Sequence, residues 1–235
     1  MRKFGFFFSI VLISQYADAG VSIDGTRIIF PSNAKSVSVQ LRNEFTTPAL
    51  VQTWIDQGDM NSIPPADQIP FVLTPPLARV EPKKGQIIRI IPTGSPALPQ
   101  DRESLYWFNM LDIPPDDSAN KDKNILTFNV RSRIKLFYRP TNLKISSDKA
   151  FSSIGYNYDN DTQSVVLNNP TPYYVTVTKI NFKNQSRTAT YTSNAVMLAP
   201  FSQQNLNNFQ LKFKPNQISY TVINDLGGDQ TFEMQ

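Results

Sequence analysis

The chain has no histidine and no cysteine among its 235 residues. Without imidazole there is no Ser-His-Asp triad and no zinc site built on histidine. Without thiol there is no cysteine nucleophile and no disulfide, so the fold must be held by burial of a core. Helical periodicity is missing too. Apolar residues alternate instead of recurring every three or four positions, and the 18 prolines, doubled at 64–65, 75–76 and 114–115, interrupt any helix. No basic block is long enough to follow a nucleic-acid backbone, and the net charge is only +4. There is no internal repeat and no low-complexity tract. One apolar run stands out, residues 4–13, and at about ten residues it is half of what a membrane span requires.

That run has the flanks of a targeting segment. Arg2 and Lys3 precede it, and Ala17-Asp18-Ala19 supplies the small-x-small site of a signal peptidase. Residues 1–19 are expected to be removed, leaving an exported chain that starts at Gly20.

The remainder reads as strands. Residues 21–30, 35–43, 49–56, 71–74, 77–81, 86–91 and 105–113 carry alternating or β-rich patterns bounded by proline, glycine and polar turns. Residues 125–139, I-L-T-F-N-V-R-S-R-I-K-L-F-Y-R, form the longest alternating stretch. Leu126, Phe128, Val130, Ser132, Ile134, Leu136 and Tyr138 share one face; Thr127, Asn129, Arg131, Arg133 and Lys135 share the other. Fully extended it would cover about 50 Å, against about 17–20 Å for an ordinary strand. A strand that outruns its sheet leaves an apolar edge unpaired, and such an edge accepts another chain.

After Pro140 asparagine becomes frequent and the strands shorten, to 155–159, 164–167, 173–182, 195–198, 209–213, 217–223 and 231–233. The expectation is an all-β chain with an N-terminal domain over 20–140 and a second over 141–235. The strand spacing in the first half is that of an immunoglobulin-like sandwich.

Several segments carry a resemblance to a known family. Residues 98–114, L-P-Q-D-R-E-S-L-Y-W-F-N-M-L-D-I-P, residues 134–140, I-K-L-F-Y-R-P, residues 169–175, N-P-T-P-Y-Y-V, residues 224–228, N-D-L-G-G, and the start 21–27, V-S-I-D-G-T-R, are similar to motifs of the periplasmic pilus chaperones of the chaperone–usher pathway. They occur in the family's order and span the chain beyond residue 20.

The resemblance implies two immunoglobulin-like β-sandwich domains in a boomerang arrangement, in the periplasm, with no cofactor, no metal and no catalytic residue. It implies pilus subunits and an outer-membrane usher as partners, and no nucleic acid. A subunit lacking one strand would be completed by the donor residues Leu126, Phe128 and Val130. Arg27 and Lys135 match the family's cleft cations, which hold the subunit's C-terminal carboxylate. Glu103, Arg139 and Asp225 match an interdomain charge network. Weak self-association covering the donor edge is expected of the free protein. The short segment 115–124 resembles the branch that serves rod-like adhesive pili, and this chain lacks the second-domain disulfide that some relatives carry.

Two other classes compete. A β-sandwich carbohydrate-binding or adhesin module would stack sugars on aromatics, yet Trp54, Tyr106 and Trp107 lie within alternating strands, where core packing is the expectation. A carboxylate hydrolase needs two acids within roughly 5–10 Å of each other. Asp116-Asp117 and the pair Asp159 and Asp161 instead fall in polar turn segments.

Overall fold

The computed structural model describes residues 20–113, 128–192 and 195–234. Two β-sandwiches follow one another along the chain, each with its own apolar core.

The first contains β1 (Val21–Ile23), β2 (Arg27–Pro31), β3 (Val37–Asn43), β4 (Ala49–Asp56), β5 (Phe71–Thr74), β6 (Leu77–Val80), β7 (Gly85–Pro92), β8 (Ser104–Ile113) and β9 (Val130–Arg139). One sheet runs β1-β3-β7-β5 and the facing sheet β2-β9-β8-β4-β6. Where alternation over 21–30 suggested one strand, there are two. The chain turns at Gly25, which has φ +109°, and passes from one sheet to the other. Side-chain alternation continues through such a crossing, so it does not reveal the change of partner. The inner faces supply Phe30, Leu41, Ile88, Ile90, Phe108, Met110 and Leu136, all fully buried. Phe71 links Phe30 and Tyr106 through ring contacts at 5.1 and 5.3 Å.

The second sandwich begins with a short helix, α1 (Ser147–Phe151), capped by the Ser146 hydroxyl, which accepts from the Lys149 N–H. At five residues it is too short to leave a period in the sequence. Its strands are β10 (Gly155–Asp159), β11 (Ser164–Asn169), β12 (Val175–Lys183), β13 (Thr188–Tyr191), β14 (Val196–Leu198), β15 (Ser202–Asn205), β16 (Gln217–Ile223) and β17 (Asp229–Glu233). They pair as β10-β11-β15 and β13-β12-β16-β17, with β14 against β12. Residues 209–213, expected as a strand, are irregular. Leu211 and Phe209 do point inward, Phe209 stacking on Phe182 at 5.4 Å. The backbone, however, is held by single bonds such as Leu211 N–H to the Gln163 carbonyl at 2.9 Å. Alternate burial without a neighbouring strand mimics a strand pattern.

Strand β9 is shorter than its alternation. It pairs with β8 from Tyr138 opposite Ser104 to Val130 opposite Asp112, and β8 ends one residue later at Ile113. The β8–β9 pairing stops at Val130, and Phe128 and Asn129 are not strand. Leu126 lies outside the described residues, as do residues 1–19 and Asp116-Asp117.

Candidate site: an open strand edge beside two cations

In the sheet β2-β9-β8-β4-β6, β9 is covered on its β8 side from Val130 to Tyr138. On its other side β2 covers only part of it. The β2–β9 pairing is parallel and begins at Arg27 opposite Lys135, ending at Pro31 opposite Arg139. From Val130 to Ile134 this edge has no strand beside it among the described residues. The inward row continues past the core: Leu136 is fully buried, Ile134 is partly buried against the core, and Val130 is 55% exposed. Phe128, next in the chain, is 70% exposed. Two large apolar side chains standing in water beside an unpaired backbone form a binding edge in the physical sense.

Arg27 and Lys135 close one end of that edge. The Arg27 Nη1–H donates to the Ile223 carbonyl at 2.9 Å, and the Lys135 ammonium donates to Thr176 Oγ1 at 3.0 Å; both acceptors belong to the second sandwich. Among the described residues neither cation makes an ion pair, and the buried Arg27 Nε has no hydrogen-bond partner. Burial pulls Lys135 down to about 8, with the repulsion of Arg27 as the second cause. Burial likewise lowers Arg27. Asp225 and Glu103 favour the charged form of Arg27 from a distance. With no carboxylate in direct contact among the described residues, two half-buried positive groups side by side stay costly unless an anion joins them.

A third group ties the sandwiches together. Arg139 Nε donates to Glu103 Oε1 at 2.7 Å, and its two Nη atoms donate to the two Asp225 oxygens, each at 2.7 Å. The guanidinium also lies over the Tyr173 ring at 5.0 Å. Glu103, 2% exposed, accepts the Tyr174 N–H on its other oxygen at 2.8 Å. Burial pushes its carboxyl above the ordinary glutamate value, even with Arg139 beside it. Burial acts the same way on Asp225, but the paired Arg139 bonds outweigh it and hold that carboxyl below its usual range. Glu103, Arg139 and Asp225, far apart in sequence, therefore meet in one hydrogen-bonded cluster.

The outward face of β9 carries a feature that sequence reasoning missed. Arg133 donates to both oxygens of Asp56, at 3.1 and 2.5 Å, and Arg131 donates to Asn109 Oδ1 and, through Nη1, to the Met60 carbonyl. Asn109 in turn donates to Asp56 Oδ2 at 2.7 Å. Asp56 is only 1% exposed. Arg131 covers Trp54 at 4.9 Å and Arg133 covers Trp107 at 4.0 Å. The core-packing expectation thus holds for Tyr106 but not for Trp54 and Trp107, which are half-buried on the outer face with guanidinium groups over their rings. Trp107 follows Tyr106 directly, so alternation puts the two on opposite faces and core packing cannot hold for both. The legible signal was Asp56 closing an apolar strand opposite the arginine pair 131 and 133.

The β8–β9 register runs without a shift from Tyr138 to Val130. No break at Ser132 brings Lys135 onto the face of Val130. The two lie on opposite faces of one strand, and what they share is the edge between them.

Among the described residues no group of histidine, cysteine, aspartate or glutamate is arranged to hold a metal ion. Asp159 accepts the N–H groups of Asp161 and Thr162, as a local turn does. Fold and site together define a two-sandwich protein with a strand edge left unpaired among the described residues and two neighbouring cations at its end.

Comparison with known proteins agrees. Residues 20–144 match the pili and flagellar-assembly chaperone PapD N-terminal domain, and residues 149–234 match the pili assembly chaperone PapD C-terminal domain. The chaperone protein HifB of Haemophilus influenzae is 41% identical over 229 residues, covering 96% of this chain and 92% of HifB. The probable fimbrial chaperone YadV of Escherichia coli K12 is 37% identical, covering 94% and 92%. The crystal structure of the Pseudomonas aeruginosa CupB2 chaperone superposes with a TM-score of 0.72 at 36% identity, over 91% of this chain and 99% of that one. The chain belongs to the pilus-assembly chaperone family, and its two domains are immunoglobulin-like.

Proposed function

We propose that this protein is a periplasmic, non-enzymatic chaperone that lends the open edge of β9 to a pilus subunit lacking one strand and then passes that subunit to an outer-membrane usher. The single observation that carries this reading is the edge from Val130 to Ile134, unpaired among the described residues and ending at two cations that no carboxylate there contacts directly. Two sandwich domains, over 20–140 and 141–235, would follow a signal peptide over 1–19, and the separate cores support that division.

The direction of the guest follows from the geometry. Its terminal carboxylate lies between Arg27 and Lys135, at the N-terminal end of β2. A guest strand reaching back along the free edge toward Val130 then runs parallel to β9, as an end-to-end continuation of β2. In this reading its backbone lies in the plane of the sheet, so that residues on opposite faces of β9 serve one guest. Phe128 and Val130, with Leu126 ahead of them, fill the guest's open core, while the carboxylate meets Lys135 at the edge. Each buried apolar side chain contributes roughly 1.5–3 kcal/mol before the costs of ordering and association. The charge-assisted carboxylate bonds fix which guest residue faces which donor residue.

The sugar-binding alternative is not favoured, because the faces of Trp54 and Trp107 are covered by Arg131 and Arg133. The test is co-expression with pilus subunits followed by affinity capture of the chaperone. Arg27→Ala and Lys135→Ala are expected to fold and to lose captured subunit; capture at wild-type yield by both would overturn the reading. In the absence of a guest a second copy finds the same edge. Weak concentration-dependent dimerisation is therefore expected in sedimentation, and a strict monomer at high concentration argues against it.

A further inference from the structure

Thr176 sits on β12, between Val175 and Val177, whose side chains enter the second core. Strand alternation turns Thr176 the other way, out of its own sandwich, yet it is only 4% exposed. The first sandwich covers it, at Lys135. Its hydroxyl oxygen accepts from the Lys135 ammonium, and among the described residues that is its only side-chain hydrogen bond. A hydroxyl has one proton to donate as well as lone pairs to accept with. The acceptor side is used here and the donor side is not. Within the same cluster the Arg27 Nε–H is buried without a partner. A buried donor left unmatched is costly. The Arg27 Nε–H together with the Thr176 hydroxyl proton, at two cations that no carboxylate contacts directly among the described residues, indicate a place prepared for an oxyanion.

We propose that Thr176 is a third ligand of the guest's terminal carboxylate, contributed by the second domain. This rests on the reading of Arg27 and Lys135 as the carboxylate site. The hydroxyl takes an N–H from Lys135 and gives its own proton to a carboxylate oxygen, completing a donor set drawn from β2, β9 and β12. Two consequences follow. Guest binding draws on both domains at once, so their relative position is set at the moment of capture. The site also discriminates a free carboxylate from an amide terminus, because the amide loses the negative charge and replaces one acceptor oxygen with an N–H that faces a donor.

The experiment uses the full chain and one synthetic peptide with the sequence of a pilus subunit's C-terminal strand, made with a free carboxylate and again as the amide. Affinity for each is measured by titration calorimetry for the wild type, Thr176→Val and Thr176→Ser, alongside melting temperature. The wild type is expected to prefer the carboxylate. Thr176→Val, close in shape, should lose roughly tenfold or more in carboxylate affinity, the effect of one hydrogen bond to a charged group, with amide affinity unchanged. Thr176→Ser should stay near wild type. If the wild type discriminates and Thr176→Val discriminates equally well, the assignment of Thr176 is wrong while the Arg27 and Lys135 site stands. If Thr176→Val loses both peptides together, its role is structural and the proposal fails. If the wild type binds both peptides alike, the carboxylate site itself is wrong. Thr176→Ala, which adds no bulk, takes the place of the valine variant should the latter not fold, and the same outcomes decide.

Discussion

Arg27 and Lys135 face each other across the first rung of the parallel β2–β9 ladder, and among the described residues neither is paired with a carboxylate. Most buried cations in folded proteins have a counter-charge. Here the protein keeps two positive groups close together at the point where β2 stops covering β9, and that relationship motivates the first two predictions.

Affinity for a peptide with a free carboxylate should depend on pH through Lys135. Burial, and then Arg27, hold this amine at about 8 in the free protein. A bound carboxylate favours the ammonium and raises it. Above the free-state value the amine must take up a proton in order to bind, so affinity is full below pH ~8 and falls above it. The expected loss between pH 7 and 9 is roughly tenfold. Lys135→Arg should flatten the profile, and an unchanged slope in that variant would show that another group is responsible.

The same residue should oppose stability in the free protein. Its folded value of about 8 lies below the ordinary 10.5, so between these the unfolded chain binds more protons and stability rises with pH. Lys135→Met removes the penalty. It should raise the melting temperature at pH 7 by a few degrees, at about 2–4 °C per kcal/mol for a chain of this size, and the advantage should vanish near pH 10.5. Calorimetry at both pH values checks the sign.

Phe128→Asp and Val130→Asp should separate folding from capture. Both side chains stand mostly in water, so urea midpoints should move by no more than about 0.5 kcal/mol equivalent. Subunit yield in co-expression should collapse, because a carboxylate entering an apolar groove goes unpaired. A large drop in stability would mean that these residues belong to the first domain's own core.

Arg139→Ala should cost about 3–5 kcal/mol in urea denaturation, since it strands the buried Glu103 and releases Asp225. Arg139→Lys should not rescue it. A single ammonium cannot reproduce one bond to Glu103 and a fork to Asp225. Adding Glu103→Gln to Arg139→Ala should recover part of the loss, which a double-mutant cycle will show.

Gly227 is the point of closest approach between the turn after β16 and the turn before β2. It has φ +85°, and a Cβ there would lie 2.3 Å from Thr26 Oγ1. Gly227→Ala is expected to destabilise by about 1–3 kcal/mol. Thr26→Ala in the same chain should relieve the clash and leave only the backbone strain, a difference measurable from the two melting curves.

Much of this was legible in the linear chain. The lack of histidine and cysteine excluded whole classes of chemistry. Alternation placed β3, β4, β5, β8 and β16 within a residue or two, because each has one face on a core and one in water. The motif resemblance singled out Arg27 and Lys135, which the structure sets opposite each other, and Glu103, Arg139 and Asp225, which it joins by hydrogen bonds. Residues 209–213 misled, since inward-pointing side chains need no neighbouring strand. Trp54 and Trp107 misled because membership of an alternating strand was read as core packing, although alternation sends every second side chain to the outer face.

By itself, then, the order of residues determined the β character, the two cores and the chemical types available at the site, all of which depend on local pattern. Only the tertiary structure decided that the cover of β2 over β9 begins at Lys135 and that, among the described residues, the edge from Val130 to Ile134 is left open. It alone brought Thr176 and the Ile223 carbonyl from the second domain to the two cations. Strand partners and interdomain contacts join residues tens to nearly two hundred positions apart. Their identity is set by which surfaces can be buried together, and no stretch of sequence contains that information.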